Sequence, residues 1–344
     1  MYSHISEAIR QPALIQLSRN IFALRFEVMK VTSAIAAIEN LMDRGEITKQ
    51  TTLVDSSSGV YAHALALACH KLGLRCHIIA SKTIDPTLKL QLELLGATVE
   101  KAEPLGNLRM DQEWRVAKVQ KLLDESKDCY WMRQYHDDIH YLGYEPIAAK
   151  IRAEIKGDVL TLIGGVGSGA STGGLARYLS QMYPAIRVVG IQPFESVTFG
   201  SAHISDPDAM IAGIGSGIHF ENVHHEVYDE IHWLSFEAGL AGSISLIKRQ
   251  GIFAGLSSGC CWAVSRCSGS RLSSQRLTAQ QQPILLIVAD TGHRYAERVF
   301  GRYAEAKELE AFSPLEVKTP REIQPPWSWM NWAKRKWDAD LEQA

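Results

Sequence analysis

Apolar residues along this 344-residue chain recur in two alternating rhythms. From Lys30 to Asp43 they fall at Val31, Ala34, Ile35, Ile38, Leu41 and Met42, the spacing of one helical face, and Arg44-Gly45 supplies the stop. Short β-branched runs predict strands at 52–54, 76–80 and 98–99, separated by runs of helical period from Tyr61 to Leu72 and Thr87 to Leu95 that end at Gly73 and Gly96. After Tyr144 the alternation resumes, with strands predicted at 159–163, 188–191 and 284–289 and a helix from Ser171 to Met182. Strands alternating with helices predict an α/β protein of parallel sheets covered by helices. The Ser/Gln-rich stretch from Ser268 to Gln282 breaks both rhythms and reads as a surface loop.

The length corresponds to about two domains. The expected division is a smaller α/β half over 26–144, a larger one over 1–25 and 145–315, and a Trp-rich tail over 316–344, with a cleft between the halves. The tail carries Trp327, Trp329, Trp332 and Trp337 among eight tryptophans in all, a density that predicts docking onto the body or onto a second subunit. With 36 Lys+Arg against 38 Asp+Glu, the net charge of −2 gives no electrostatic reason to expect nucleic acid or an anionic membrane as partner. No apolar run approaches the roughly 18 residues of a membrane span, and the N-terminal segment lacks a basic stretch followed by an apolar one, so a cytoplasmic protein is expected. Cys69, Cys76, Cys129, Cys260, Cys261 and Cys267 show no zinc-site spacing. No metal is expected, and the cysteines suit a reducing compartment.

Candidate chemistry sits where strands turn into helices. In the segment 163–179, Gly164, Gly165, Gly167 and Gly169 surround Ser168, and Ala170-Ser171 open the following helix. Such a turn lets backbone N–H groups and hydroxyls close around a phosphate, and it also serves as an ordinary tight turn. Neither GxxxxGK[ST] nor a strict GxGxxG with a distant acid is present, which disfavours nucleotide and dinucleotide sites. Ser57-Ser58-Gly59 precede a helix, as N-caps or as donors to a carboxylate. Ser257-Ser258 form a third such turn. Lys30 opens the first long helix, where the dipole opposes its charge; it is either a solvated lysine or, enclosed in a cleft, a nucleophilic amine.

In this order, these loops resemble those of the fold type II pyridoxal-phosphate enzymes, the cysteine synthase and cystathionine β-synthase family. The run from Lys30 to Arg44-Gly45 resembles the segment that starts at the Schiff-base lysine. Ser57-Ser58-Gly59 resembles the Thr/Ser-Ser-Gly-Asn loop, Gln134-Tyr135 with His140-Tyr141 the Gln-Phe/Tyr…His-Tyr stretch, and Gly167 to Ser171 the GTGGT phosphate cup. The run 211–217, with Gly213 and Gly215, is similar to the IxGIGxG loop, Leu256 to Gly259 to ISSG, and Ile287 to Tyr295 to PDSGERY. The chain departs from the family before Lys30, where the loop is shorter, and at Val60, which stands where the family has an asparagine.

The resemblance implies a tryptophan synthase β-subunit-like fold, pyridoxal 5'-phosphate as cofactor and a homodimer. It implies that Lys30 carries the cofactor and acts as base, that Gly167, Ser168, Gly169, Ala170 and Ser171 hold its phosphate, and that Ser258, with Ser257 as second candidate, meets its pyridine nitrogen. Val60 would border the ring. Ser57, Ser58, Gly59 and Gln134 would hold a substrate carboxylate, with Gly213 and Gly215 beside it. The implied reaction is β-replacement on serine or an O-activated serine through an aminoacrylate, joining a small nucleophile to a small amino acid. The alternatives are β-elimination and a degenerate, non-catalytic binding partner.

Overall fold

A computed structural model of the chain describes residues 1–102, 108–206, 213–275 and 282–336. The chain begins with a short helix α1 (Ile5–Ile9) and the hairpin β1 (Ala13–Gln16) and β2 (Ile21–Arg25), then passes into α2 (Lys30–Asp43). There follow β3 (Thr52–Ser56), α3 (Val60–Leu72), β4 (Arg75–Ala80), α4 (Pro86–Leu94), β5 (Thr98–Lys101), α5 (Leu108–Glu125) and β6 (Cys129–Trp131). The second series is α6 (Glu145–Glu154), β7 (Val159–Gly165), α7 (Ala170–Leu179), β8 (Ala185–Gln192), β9 (Glu230–Leu234), α8 (Phe236–Gln250), α9 (Leu256–Gln275) and β10 (Ile284–Val288). The tail adds β11 (Leu315–Glu316) and β12 (Trp327–Asn331).

These strands form two sheets. The smaller has the order β5-β4-β3-β6 and is parallel throughout; the larger has the order β1-β2-β10-β7-β8-β9-β12-β11. At the centre of the large sheet, β2, β10, β7, β8 and β9 run parallel, and every residue of β10 and β9 is buried. Continuous apolar strands such as Ile284–Val288 suit this place, because helices cover both faces. Strands β1 and β2 belong to the large sheet, whereas α1 before them packs against α3 beside the small sheet; after β2 the chain builds the small sheet and then returns to the large one.

Local signals set the element ends. Gly73 and Gly251 adopt the left-handed conformation after α3 and α8, while the Asp85 and Ser235 side chains accept from Leu88 and Ala238 N–H at the starts of α4 and α8. Gly242 and Gly259 let α8 and α9 cross closely: a Cβ on Gly242 would lie 2.2 Å from the carbonyl oxygen of Gly259.

One expectation changes, and another is narrowed to one of its alternatives. The polar stretch expected as a loop from Ser268 continues α9 as far as Gln275; a helix already nucleated in the core at Leu256–Val264 propagates through residues that do not forbid it. Residues 276–281 lie outside the described set. The tail docks on the chain's own large sheet, where β12 pairs antiparallel with β9 and the indole of Trp327 donates to His232 Nδ1 at 3.0 Å. Trp337 lies outside the described residues. Among the described residues no helix is long and apolar enough to cross a membrane, and no cluster of His, Cys, Asp and Glu has the makings of a metal site.

Trp332 is fully buried, with Phe199 edge-on at 5.1 Å between ring centroids. Trp332→Ala is therefore expected to cost about 3–5 kcal/mol of stability in urea unfolding. A loss below about 1 kcal/mol would show that the tail is not part of the core.

Candidate active site

A cavity opens where the C-terminal ends of β7 and β10 meet the starts of α2, α3, α7 and α9, the place where parallel α/β sheets offer free backbone N–H groups and positive helix ends. Its walls include Lys30, Val60, Gly167, Ser168, Gly169, Ser171, Gly213 and Ser257, eight residues that the sequence singles out, and about 610 Å³ of space lies between them.

Lys30 reaches this place because the chain leaving β2 stays zipped to β10. Phe26 N–H donates to the Val288 carbonyl at 2.8 Å and Met29 N–H to that of Ala289 at 2.9 Å, so α2 starts at the cavity wall. The Lys30 ammonium then donates to Ser168 Oγ at 2.6 Å, joining residues 138 positions apart. Burial pulls the amine down to a pKa of about 8.

Glycine is required in the cup. Gly169 has φ +81°, and a Cβ there would sit 2.1 Å from the Asn222 carbonyl oxygen; one on Gly167 would sit 2.3 Å from that of Gly213. Thr172 Oγ1 donates to the Gly165 carbonyl at 2.9 Å, and Ser171 Oγ pairs with the Tyr144 hydroxyl at 2.8 Å. Ala170 begins α7 without lining the cavity. Gly215 holds the neighbouring loop to the sheet, its N–H donating to the Val166 carbonyl at 2.9 Å.

The two serines of α9 divide. Ser257 lines the cavity, whereas Ser258 is wholly buried behind it, its Oγ accepting from Ala289 N–H at 3.2 Å. The preferred partner for a ring nitrogen thus moves from Ser258 to Ser257. Cys261 also lines the cavity, and burial pushes its thiol up to about 12, so it stays protonated; Cys260 packs in the core.

Val60, at the start of α3, lines the cavity, whereas Ser57, Ser58, Gly59 and Gln134 do not; the loop that carries the two serines is held from behind. Ser57 Oγ accepts from Ala62 N–H at 3.1 Å and Ser58 Oγ from Ser81 N–H at 2.5 Å, which leaves the backbone at 57–59 to present the start of α3. Gln134 Nε2 donates to the Ser56 carbonyl at 3.3 Å, bringing Gln134 beside Ser57-Ser58-Gly59.

Sequence reading missed the polar residues that hold this arrangement. Asp55 is fully buried; its carboxylate accepts from Ser56 N–H, Gln134 N–H and the Trp131 indole, and burial raises it to about 7. Arg115 is buried beside it, donating through Nη1 to Ser56 Oγ at 3.1 Å and through Nε to the Asp111 carbonyl at 3.2 Å. Asn222 joins the halves: its amide donates to the carbonyls of Gln134 and Asp137 at 3.0 and 2.9 Å, while its own carbonyl accepts from the Tyr141 hydroxyl at 2.7 Å. Asp290 lines the cavity, accepts from the Tyr295 hydroxyl and is raised by burial to about 6. Asp55 and Asp290 lay within segments the sequence flagged, 54–68 and 287–295, though neither was singled out.

The family model described as pyridoxal-phosphate dependent enzyme matches residues 25–290. A relative, the N-(2-amino-2-carboxyethyl)-L-glutamate synthase of Cupriavidus metallidurans, is 29% identical over 313 residues, covering 86% of this chain and 89% of its own length. Among solved structures, the O-acetylserine dependent cystathionine β-synthase of Helicobacter pylori superposes with a TM-score of 0.75 at 22% identity, covering 87% of this chain and 98% of that one. O-acetylserine sulfhydrylase isoform 3 of Entamoeba histolytica gives 0.76 at 18% identity, over 90% and 93% of the two chains. At such identities the superpositions establish the fold.

The cavity fits the cofactor this match names. An amine of lowered pKa donates to Ser168 within a glycine-rich turn that opens a helix, where backbone N–H groups favour a phosphate. Reaction of the cofactor-free chain with the cofactor's aldehyde needs the neutral amine. Its rate, followed by absorbance, is expected to rise with pH and level off above about 8, falling roughly tenfold per unit below. A midpoint near the ordinary lysine value of 10.5, or borohydride labelling away from Lys30, would refute the assignment.

Proposed function

Because the chain belongs to the family of pyridoxal-phosphate dependent enzymes, we propose that it catalyses β-replacement on an O-activated serine, joining the three-carbon unit to the amine of an acidic amino acid. The observation that carries this reading is the enclosed Lys30 amine, donating to Ser168 Oγ at the glycine-rich turn that opens α7. The relative's name describes a 2-amino-2-carboxyethyl group on the nitrogen of glutamate, which is a serine-derived unit on an amine.

When bound, the cofactor supplies an electrophilic aldehyde and a ring that withdraws charge from the substrate's α-carbon. The chain's residues do the rest. Backbone N–H groups from Gly167 to Ser171 would hold its phosphate, and Ser257 Oγ at the cavity wall would offer the ring nitrogen a neutral partner. Val60 packs on the cavity wall where the family's asparagine would donate a hydrogen bond, so that contact to the ring's oxygen is absent here. Ser57, Ser58, Gly59 and Gln134 take the substrate carboxylate. Lys30 would remove the α-proton; in the unloaded chain burial already lowers its amine to about 8 and Ser168 Oγ accepts from it at 2.6 Å.

Arg115 favours a donor whose leaving group is anionic. It is a buried guanidinium behind the loop after β3, donating to Ser56 Oγ, and burial raises the neighbouring Asp55 to about 7, so that this carboxyl only partly balances its charge at neutral pH. O-phosphoserine meets that demand better than serine or O-acetylserine. The reading includes a homodimer, as in the family resembled, and a reducing cytoplasmic setting in keeping with the six free cysteines.

Holoenzyme incubated with serine, O-acetylserine or O-phosphoserine and a panel of nucleophiles, read by mass spectrometry, is expected to give a β-(N-amino-acid)-alanine. Pyruvate alone, whatever the nucleophile, would replace synthesis by elimination. Arg115→Ala should lower kcat/KM for O-phosphoserine about 10- to 100-fold and change that for O-acetylserine by only a few fold, the loss of one charge-assisted contact. Equal losses with both donors would remove Arg115 from donor recognition.

A further inference from the structure

Lys30, Cys261 and Asp290 are the ionisable side chains on the cavity wall among the described residues. The Cys261 thiol, pushed up to about 12 by burial, exchanges no proton near neutrality. Asp290 is different. It follows β10, where its backbone bridges to Val28, two residues before Lys30, and it is buried. Its Oδ2 accepts from the Tyr295 hydroxyl at 2.5 Å, whereas Oδ1 has no regular hydrogen-bond partner among the described residues. Burial raises the carboxyl to about 6; the Tyr295 hydroxyl, the Arg294 guanidinium and the Gly255 N–H before α9 oppose that rise by favouring the charged form. Arg294 is itself held in place, donating to His63 Nδ1 at 2.7 Å. The carboxyl is therefore ionised at neutral pH, in the cavity it shares with Lys30.

An amine nucleophile makes a demand that sulfide does not. Near neutrality the amine of an amino acid arrives as an ammonium ion, whose nitrogen has no lone pair, while sulfide arrives in part as an anion. Lys30 cannot meet this demand in the same turnover, because it holds the α-proton that it must return.

We propose that Asp290 is the base that takes the proton from the incoming amine, with Oδ1 as the accepting atom. This rests on the β-replacement reading above and deepens it by naming the residue that admits an amine. The carboxylate accepts one N–H proton, and the freed lone pair forms the bond to the donor's β-carbon, from which the leaving group has departed with its bonding electrons. Lys30 gives its proton back to the α-carbon. The proton on Asp290 passes to solvent, so the amine ends as a secondary ammonium and one proton is released per turnover.

The test uses holoenzyme saturated with whichever of the three donors turns over, and compares L-glutamate with sulfide. In the unaltered enzyme kcat/KM for L-glutamate is expected to fall about tenfold per pH unit below about 6 and to stay level from there to the amine's own pKa. Asp290→Asn should lower it about 100-fold or more at pH 7 and turn the level stretch into a steady rise, while changing kcat/KM for sulfide by no more than a few fold. Tyr295→Phe removes a group that favours the charged carboxyl, so the lower limb should move above 6. Equal losses with both nucleophiles in Asp290→Asn overturn the proposal and leave β-replacement standing. Should Asp290→Asn fail to take up the cofactor, the Tyr295→Phe limb decides: a rise supports the proposal and an unmoved limb refutes it. The spectral change on adding donor alone reports the first half of the reaction, and its absence in the unaltered enzyme overturns β-replacement and the role of Asp290 together. Product from sulfide but none from L-glutamate overturns the amine reading and this assignment with it.

Discussion

The parallel pairing of β2 with β10 is the constraint on which the site depends. Register from Ile21 against Ile284 to Arg25 against Val288 carries the chain along the sheet edge until Met29 bonds to the Ala289 carbonyl. Lys30 is the next residue, and its amine enters the cavity opposite Ser168. Slip this register by one residue and the inward and outward side chains exchange faces. A hairpin at the very start of the chain thus positions an amine against a cup more than a hundred residues later.

The two halves are joined by polar contacts that are themselves buried. Asn222 spans from the Gln134 and Asp137 carbonyls to the cup, where its own carbonyl oxygen occupies the space a side chain on Gly169 would need. Asp55 ties Gln134 to the loop that begins α3, and Arg115 ties α5 to the same loop. Such groups cost free energy when desolvated and recover it only if every partner is in place. That makes them devices of geometry: the backbone at 57–59 has little freedom because the residues behind it have none to spare.

Helix α5 braces two of the loops near the cavity. Within four residues it offers Gln112 to the glycine loop and Arg115 to the loop after β3. Its mean character is polar, which in isolation marks a solvated helix, and the buried Arg115 gives no sign of itself in the hydrophobic pattern.

The sequence by itself determined the α/β alternation, the ends of most elements and the glycine-rich turns, since these depend on periodicity and on backbone conformations that only local residues set. Lys30 at a helix start and Ser168 within the cup could be named for the same reason. Tertiary structure alone decided which neighbour of a pair faces the ligand: Ser257 and Ser258 differ by one step of about 100° around a helix, and only packing of α9 against β10 tells which looks inward. It also decided that Asp55, Arg115 and Asn222 are buried partners of the site, because the burial of a polar side chain is settled by what covers it. The tail shows the same division, with its tryptophans announcing a docked segment and the free edge of β9 deciding where it docks.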